Sequence, residues 1–184
     1  STPPPSSAAS DVYKRQESGI AAFETKNFAH ATKLLSPIAE EGNPDAMYRM
    51  AIMLQNGLGC LANEDKAFTY MKKAAENGLP LAMHALGFMY FEGECTEKNP
   101  ELCIKWFEKA AEAGMMGSAT TLGMVFEEGK IVDQDLDKAE KIKKKLVKQE
   151  QKILKEIYKK TKIDVEIWAA ASIALSLIHI SEPT

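Results

Sequence analysis

The chain is poor in cysteine, with three among 184 residues, at positions 60, 95 and 103. So sparse and odd a set cannot lace a small domain with disulfides, and the fold must rest on a buried core. No apolar run reaches the roughly 18 residues of a membrane-spanning helix. No stretch sustains the two-residue alternation of a half-buried strand, so no sheet is predicted. Neither sign of charge dominates: 23 Lys plus Arg stand against 26 Asp plus Glu, net −3. That balance carries no overall signal for nucleic acid or an acidic substrate. What remains, 45% hydrophobic and 27% charged residues, is the composition of a folded globular chain long enough to bury a core.

The two ends read as foreign. Asp11-Val12-Tyr13-Lys14-Arg15-Gln16, written as GAT GTG TAT AAG AGA CAG, has the reverse complement CTG TCT CTT ATA CAC ATC. That word translates as Leu175-Ser176-Leu177-Ile178-His179-Ile180. An inverted match over six codons is the mark of a transposase-made sequencing library. Residues 1–16 and 175–184 are therefore expected to be adapter-derived, with 1–16 unstructured and packed on nothing. The natural fragment is then 17–174, with neither true end present, and localisation stays open between cytoplasm and periplasm. Within it charge is split. Residues 17–133 carry 10 basic and 17 acidic side chains, net −7; residues 134–174 carry 11 and 7, net +4.

The chain repeats at a period of 36, the signature of a stacked array. Ala46 aligns with Ala82. Met50, Ala51 and Leu54 align with Leu86, Gly87 and Tyr90, then with Leu122, Gly123 and Phe126. Gly57 aligns with Gly93 and Gly129, and Ala74-Ala75-Glu76-Asn77-Gly78 with Ala110-Ala111-Glu112-Ala113-Gly114. Each unit reads as two helices. Ala46, Met50, Ala51 and Leu54 lie on one face of the first, and glycine stops it in the left-handed conformation. The second starts near Asn63-Glu64-Asp65, where polar side chains suit the free amides. The predicted pairs are 17–25 with 28–41, 45–56 with 64–77, 81–92 with 100–113, and 117–128 with 135–160. Pro37 falls inside a helix and is expected to bend it or to leave one carbonyl unpaired. The last helix runs on because Glu150 stands where glycine is due. Its stripe of Ile142, Leu146, Ile153 and Ile157 is expected to cover the final repeat as terminal units require. Asp164 is expected to cap a further helix with Val165, Ile167, Trp168 and Ile173.

These residues resemble the Sel-one-like repeat (SLR) family, relatives of the tetratricopeptide repeats. The match is carried by Ala82, Leu86-Gly87, Met89-Tyr90, Gly93, Cys103, Trp106-Phe107 and Lys109-Ala110-Ala111-Glu112-Ala113-Gly114. In the third unit Ile142-Lys143 replace the aromatic pair. The resemblance implies an all-α fold, an α-solenoid (a right-handed superhelix) of antiparallel helix pairs with a C-terminal capping helix. The expected organisation is a truncated first repeat at 17–42, repeats at 43–78 and 79–114, a degenerate repeat with a basic cap at 115–160, and a segment at 161–174. It also implies a scaffold for protein assembly with no catalytic residues.

Local motifs add no chemistry. Gly57-Leu58-Gly59 lacks the strand before and the Lys-Ser/Thr after that make a phosphate loop. No local signature pairs a nucleophile with a base. His30 and His84 stand on different helices without Cys, Asp or Glu at ligand spacing. No cofactor or metal is expected. Some cysteine-rich SLR relatives staple each repeat with a Cys pair, and a few are reported to act on β-lactams; that enzymatic alternative lacks its Cys spacing here. Lys143-Lys144-Lys145 with Lys148, Lys152, Lys155, Lys159 and Lys160 form a basic helix face, a second alternative for anionic membrane or nucleic acid. Both partners are disfavoured against a protein or peptide, and the oligomeric state is unassigned.

The partner-binding face follows from helix geometry. If Ala46, Met50, Ala51 and Leu54 face the partner helix, the opposite side presents Tyr48, Ile52 and Gln55. Adding 36 gives His84, Phe88 and Phe91, then Thr120, Met124 and Glu127. Tyr48, Ile52, Phe88, Phe91 and Met124 are predicted to form an apolar strip on the concave surface. Arg49, Gln55, His84 and Glu127 are placed at its edge, an aromatic centre with a polar rim.

Overall fold

A computed structural model of the chain describes residues 7–161. The described part is all-helical: α1 (Ser7–Glu24), α2 (Phe28–Glu40), α3 (Pro44–Asn56), α4 (Glu64–Glu76), α5 (Pro80–Glu92), α6 (Pro100–Glu112), α7 (Met116–Glu128) and α8 (Leu136–Thr161). It is an α-solenoid of antiparallel pairs. The main contacts are between consecutive helices, α1 on α2 through α5 on α6, with a lesser contact of α1 on α3. The chain divides into two compact units, one through Ser118 and one from Ala119.

Capping fixes the helix starts. Asn27, Asn63, Asn99 and Asp135 stand 36 apart, and each side chain accepts a hydrogen bond from the backbone N–H three residues on. Asn43 does the same for α3. These side chains satisfy amides that the first helical turn leaves without partners. Gly57, Gly93 and Gly129 end the first helices in the left-handed region, at φ of 64°, 77° and 63°.

The core follows the 36-residue register. In the first unit Ala46, Met50, Ala51 and Leu54 of α3 are buried, as are Ala82, Leu86, Gly87 and Tyr90 of α5. They meet Ala67, Tyr70, Met71 and Ala74 of α4 and Cys103, Trp106, Phe107 and Ala110 of α6, all buried. Small residues set the helix spacing. A Cβ on Gly87 would lie 2.7 Å from the Phe107 ring, so α5 and α6 touch there without room to spare.

Two expectations are corrected. Residues 7–16 are not unstructured: α1 begins at Ser7 and runs without a break to Glu24. Extending a formed helix costs far less than starting one, and nothing in Ala8 to Gln16 breaks it. The side chains of 11–15 are exposed, but Gln16 accepts a hydrogen bond from the Asn43 side chain at 3.1 Å. In the second unit the α8 stripe is buried only at its start. Leu146 is enclosed, whereas Ile153 and Ile157 are 42% and 45% exposed, because α8, with 26 residues, is twice the length of the 13-residue repeat helices. The helix expected after Asp164 and the segment 175–184 lie outside the described residues.

Candidate binding face

The first helices of the first unit present the predicted row. Tyr48, Arg49, Ile52 and Gln55 stand on α3, and His84, Phe88 and Phe91 on α5. None of the apolar members is buried. Phe88 is 38% exposed, while Tyr48, Ile52 and Phe91 are half-buried. The aromatic rings interlock. Phe88 meets His84 and Phe107 edge-on at 5.0 Å and Phe91 at 6.2 Å. Phe107 lies wholly inside, so the Phe88 ring stands with one edge on the core and the other toward solvent. Burial raises the Tyr48 phenol above its ordinary value.

The polar residues placed at the edge of this strip already have partners within the fold. Arg49 is drawn inward. Its guanidinium pairs with Asp45 at 3.1 Å and Glu24 at 3.7 Å and lies over the Phe23 ring. With 12% of its side chain exposed, it ties α3 to α1. Gln55 donates to Glu94 at 2.7 Å, joining the C-terminal ends of α3 and the loop after α5. His84 Nδ1 lies 2.7 Å from Ser118 Oγ, and burial holds the imidazole below its ordinary value.

Ser118 was not legible as a partner from motifs. Its signal lies in the register, because it stands 36 after Ala82 and 72 after Ala46, where the solenoid demands a small buried side chain. A serine there is fully enclosed and must find a partner for its hydroxyl. His84, one repeat earlier, provides it. Hydroxyl and imidazole resemble a nucleophile and its base, but the oxygen has no access to solvent, and the pair acts as a tether between α5 and the start of α7.

Thr120, Met124 and Glu127 belong to the second unit. Met124 is 46% exposed and Thr120 is exposed. Glu127 is held by Lys143 of α8 at 2.8 Å, so it is not an open edge group. Nearby, Lys138 sits over the Phe126 ring at 4.0 Å. The three cysteines are free. Cys103 is buried, and desolvation pushes its thiol up to about 12. Cys95 takes a left-handed φ of 57°, as Gly59 does one repeat earlier at 67°.

Stacked helix pairs in fixed register, with an aromatic row left open on the first helices, define a helical-repeat scaffold. The chain belongs to the Sel1 repeat family: the family model, described as Sel1 repeat, matches residues 44–79, 80–115 and 119–141. Helices α1 and α2 precede the matched repeats. Among solved structures, a Sel1 repeat protein from Oxalobacter formigenes is 34% identical, with a TM-score of 0.55; the match covers 62% of this chain and 86% of that one. A protective antigen of uropathogenic Escherichia coli strains, displaying an SLR fold, is 29% identical with a TM-score of 0.67. It is matched over 81% of this chain, which spans about a third of its length (34%). No curated protein matches the chain.

Proposed function

We propose that the chain is a non-enzymatic scaffold that holds a protein or peptide against the first-helix face, centred on Phe88. One observation carries the reading. Phe88 is a large aromatic, 38% exposed, whose neighbours Arg49, Gln55 and His84 have internal partners. An apolar side chain held in place with its outer edge uncovered is the arrangement of an interaction hot spot. Tyr48, Ile52 and Phe91 beside it provide further apolar area at little entropic cost. Within the second unit, Thr120 and Met124 of α7 stand at the corresponding register positions and are proposed to offer exposed contacts of that unit, with Glu127 engaged by Lys143.

A photo-crosslinking side chain placed at position 88, and in a second variant at Lys73 on the outer helix α4, tests the assignment. Peptides selected on the folded chain from a displayed library are expected to crosslink from position 88 and not from 73. The reverse pattern assigns binding to the outer helices.

A further inference from the structure

The charged residues of the first unit are not spread evenly about the strip. Helices α3 and α5 contain no lysine. Every lysine between residues 27 and 118 sits on α2, α4, α6 or the loop that carries Lys98. Arg49, the one cation on α3 and α5, is largely enclosed by its pairs with Asp45 and Glu24. The strip ends at Gln55 and Phe91 against an acidic edge. Glu94 accepts from Gln55 there, and Glu92 and Glu97 are exposed beside it. Lys98, folded over Gly93, is the cation of this loop, and Lys66 on α4 is paired with Glu40.

Resting on the reading of this face as the binding surface, we infer that its partner is a cationic amphipathic segment. Its apolar anchor lies on Phe88 and Phe91, and its lysines or arginines extend over Glu92, Glu94 and Glu97. The apolar contact supplies affinity; the acidic edge selects sign and direction. A segment carrying carboxylates in place of the cations meets like charges there and is rejected, which is how a surface of modest area discriminates between partners.

The chain itself provides a probe of this chemistry. A synthetic peptide of residues 141–159 has eight lysines, two glutamates and the apolar set of α8. Its counterpart replaces every lysine by glutamate. Binding to the full chain is measured by fluorescence anisotropy at low and high salt, with helicity checked for each variant. The lysine peptide is expected to bind at least about tenfold more tightly at about 50 mM salt, and the gap to close near about 500 mM. Glu92→Lys with Glu97→Lys, which leaves the Gln55–Glu94 bond in place, is expected to weaken the lysine peptide by about tenfold. Phe88→Ala is expected to weaken it at either salt. Equal affinity for the two peptides, with Phe88→Ala weakening both, overturns the charge inference and leaves the face standing. A lysine peptide that fails to bind also overturns the inference. Tight binding that Phe88→Ala does not touch overturns both the inference and the face.

Discussion

At the scale of single residues, the stability of the array rests on side chains that repeat in register and on one that does not. Asn99 is one of four caps spaced by 36, and its Oδ1 accepts from the Leu102 amide at 3.0 Å. Asn99→Ala is expected to destabilise the first unit by about 1 kcal/mol in chemical denaturation, because an amide of α6 loses its partner. The His84–Ser118 pair is peculiar to one junction. Burial lowers the His84 pKa below 6.5, so the folded state favours neutral imidazole. Its contribution is therefore intact above about pH 6.5 and is lost as pH falls from there through the lowered folded value. Thermal melts between about pH 7.5 and about pH 5 are expected to show a steeper fall for the wild type than for His84→Gln. Parallel falls would mean that His84 plays no part. The sequence displayed the polar start at Asn63 with the amides it serves, and it displayed His84, but not the Ser118 hydroxyl that His84 meets. A hydrogen bond across 34 residues leaves no local pattern, whereas a 36-residue register does.

At the scale of the helix, the same repeat position tolerates different residues because its partner changes with it. Gly87 faces Phe107; 36 residues on, Gly123 faces Lys143, whose Cγ would lie 3.9 Å from an added Cβ against 2.7 Å for the Phe107 ring. Gly87→Ala is expected to overpack the α5–α6 contact and cost about 1–3 kcal/mol. Gly123→Ala fits, and is expected to be neutral or to stabilise by up to about 1 kcal/mol through helix propensity. Denaturation midpoints of the two variants check the pair, and equal effects would remove the size-matching argument. Helix boundaries were largely legible, since glycine stops and polar starts recur in phase. The start of α1 was not. Its first residues carry the DNA-level match and no apolar stripe, yet residues with no helix breaker simply prolong the helix behind them. The exposure of Ile153 and Ile157 was also not legible, because an apolar stripe records what a helix offers and not how far its neighbour extends.

At the scale of the molecule, a Sel1-repeat array turns a 36-residue period into rows of equivalent side chains, and function depends on which rows remain open. The buried row is plain from the sequence, because Ala46, Ala82 and Ser118 must all be small. The open row is also plain by geometry, but its character is not: Arg49, Gln55 and His84 looked like a polar rim and are instead held within the scaffold. That leaves Phe88 as the centre of the account. Calorimetric titration of a peptide selected on the folded chain, against wild type, Phe88→Ala and Leu61→Ala, tests it most directly. Leu61, 91% exposed in the α3–α4 loop, controls for loss of any surface apolar group. With helicity unchanged, Phe88→Ala should lose more than about 1 kcal/mol of binding while Leu61→Ala stays within about 0.5 kcal/mol of wild type. Wild-type affinity in Phe88→Ala would contradict the account and move the binding surface off the first helices.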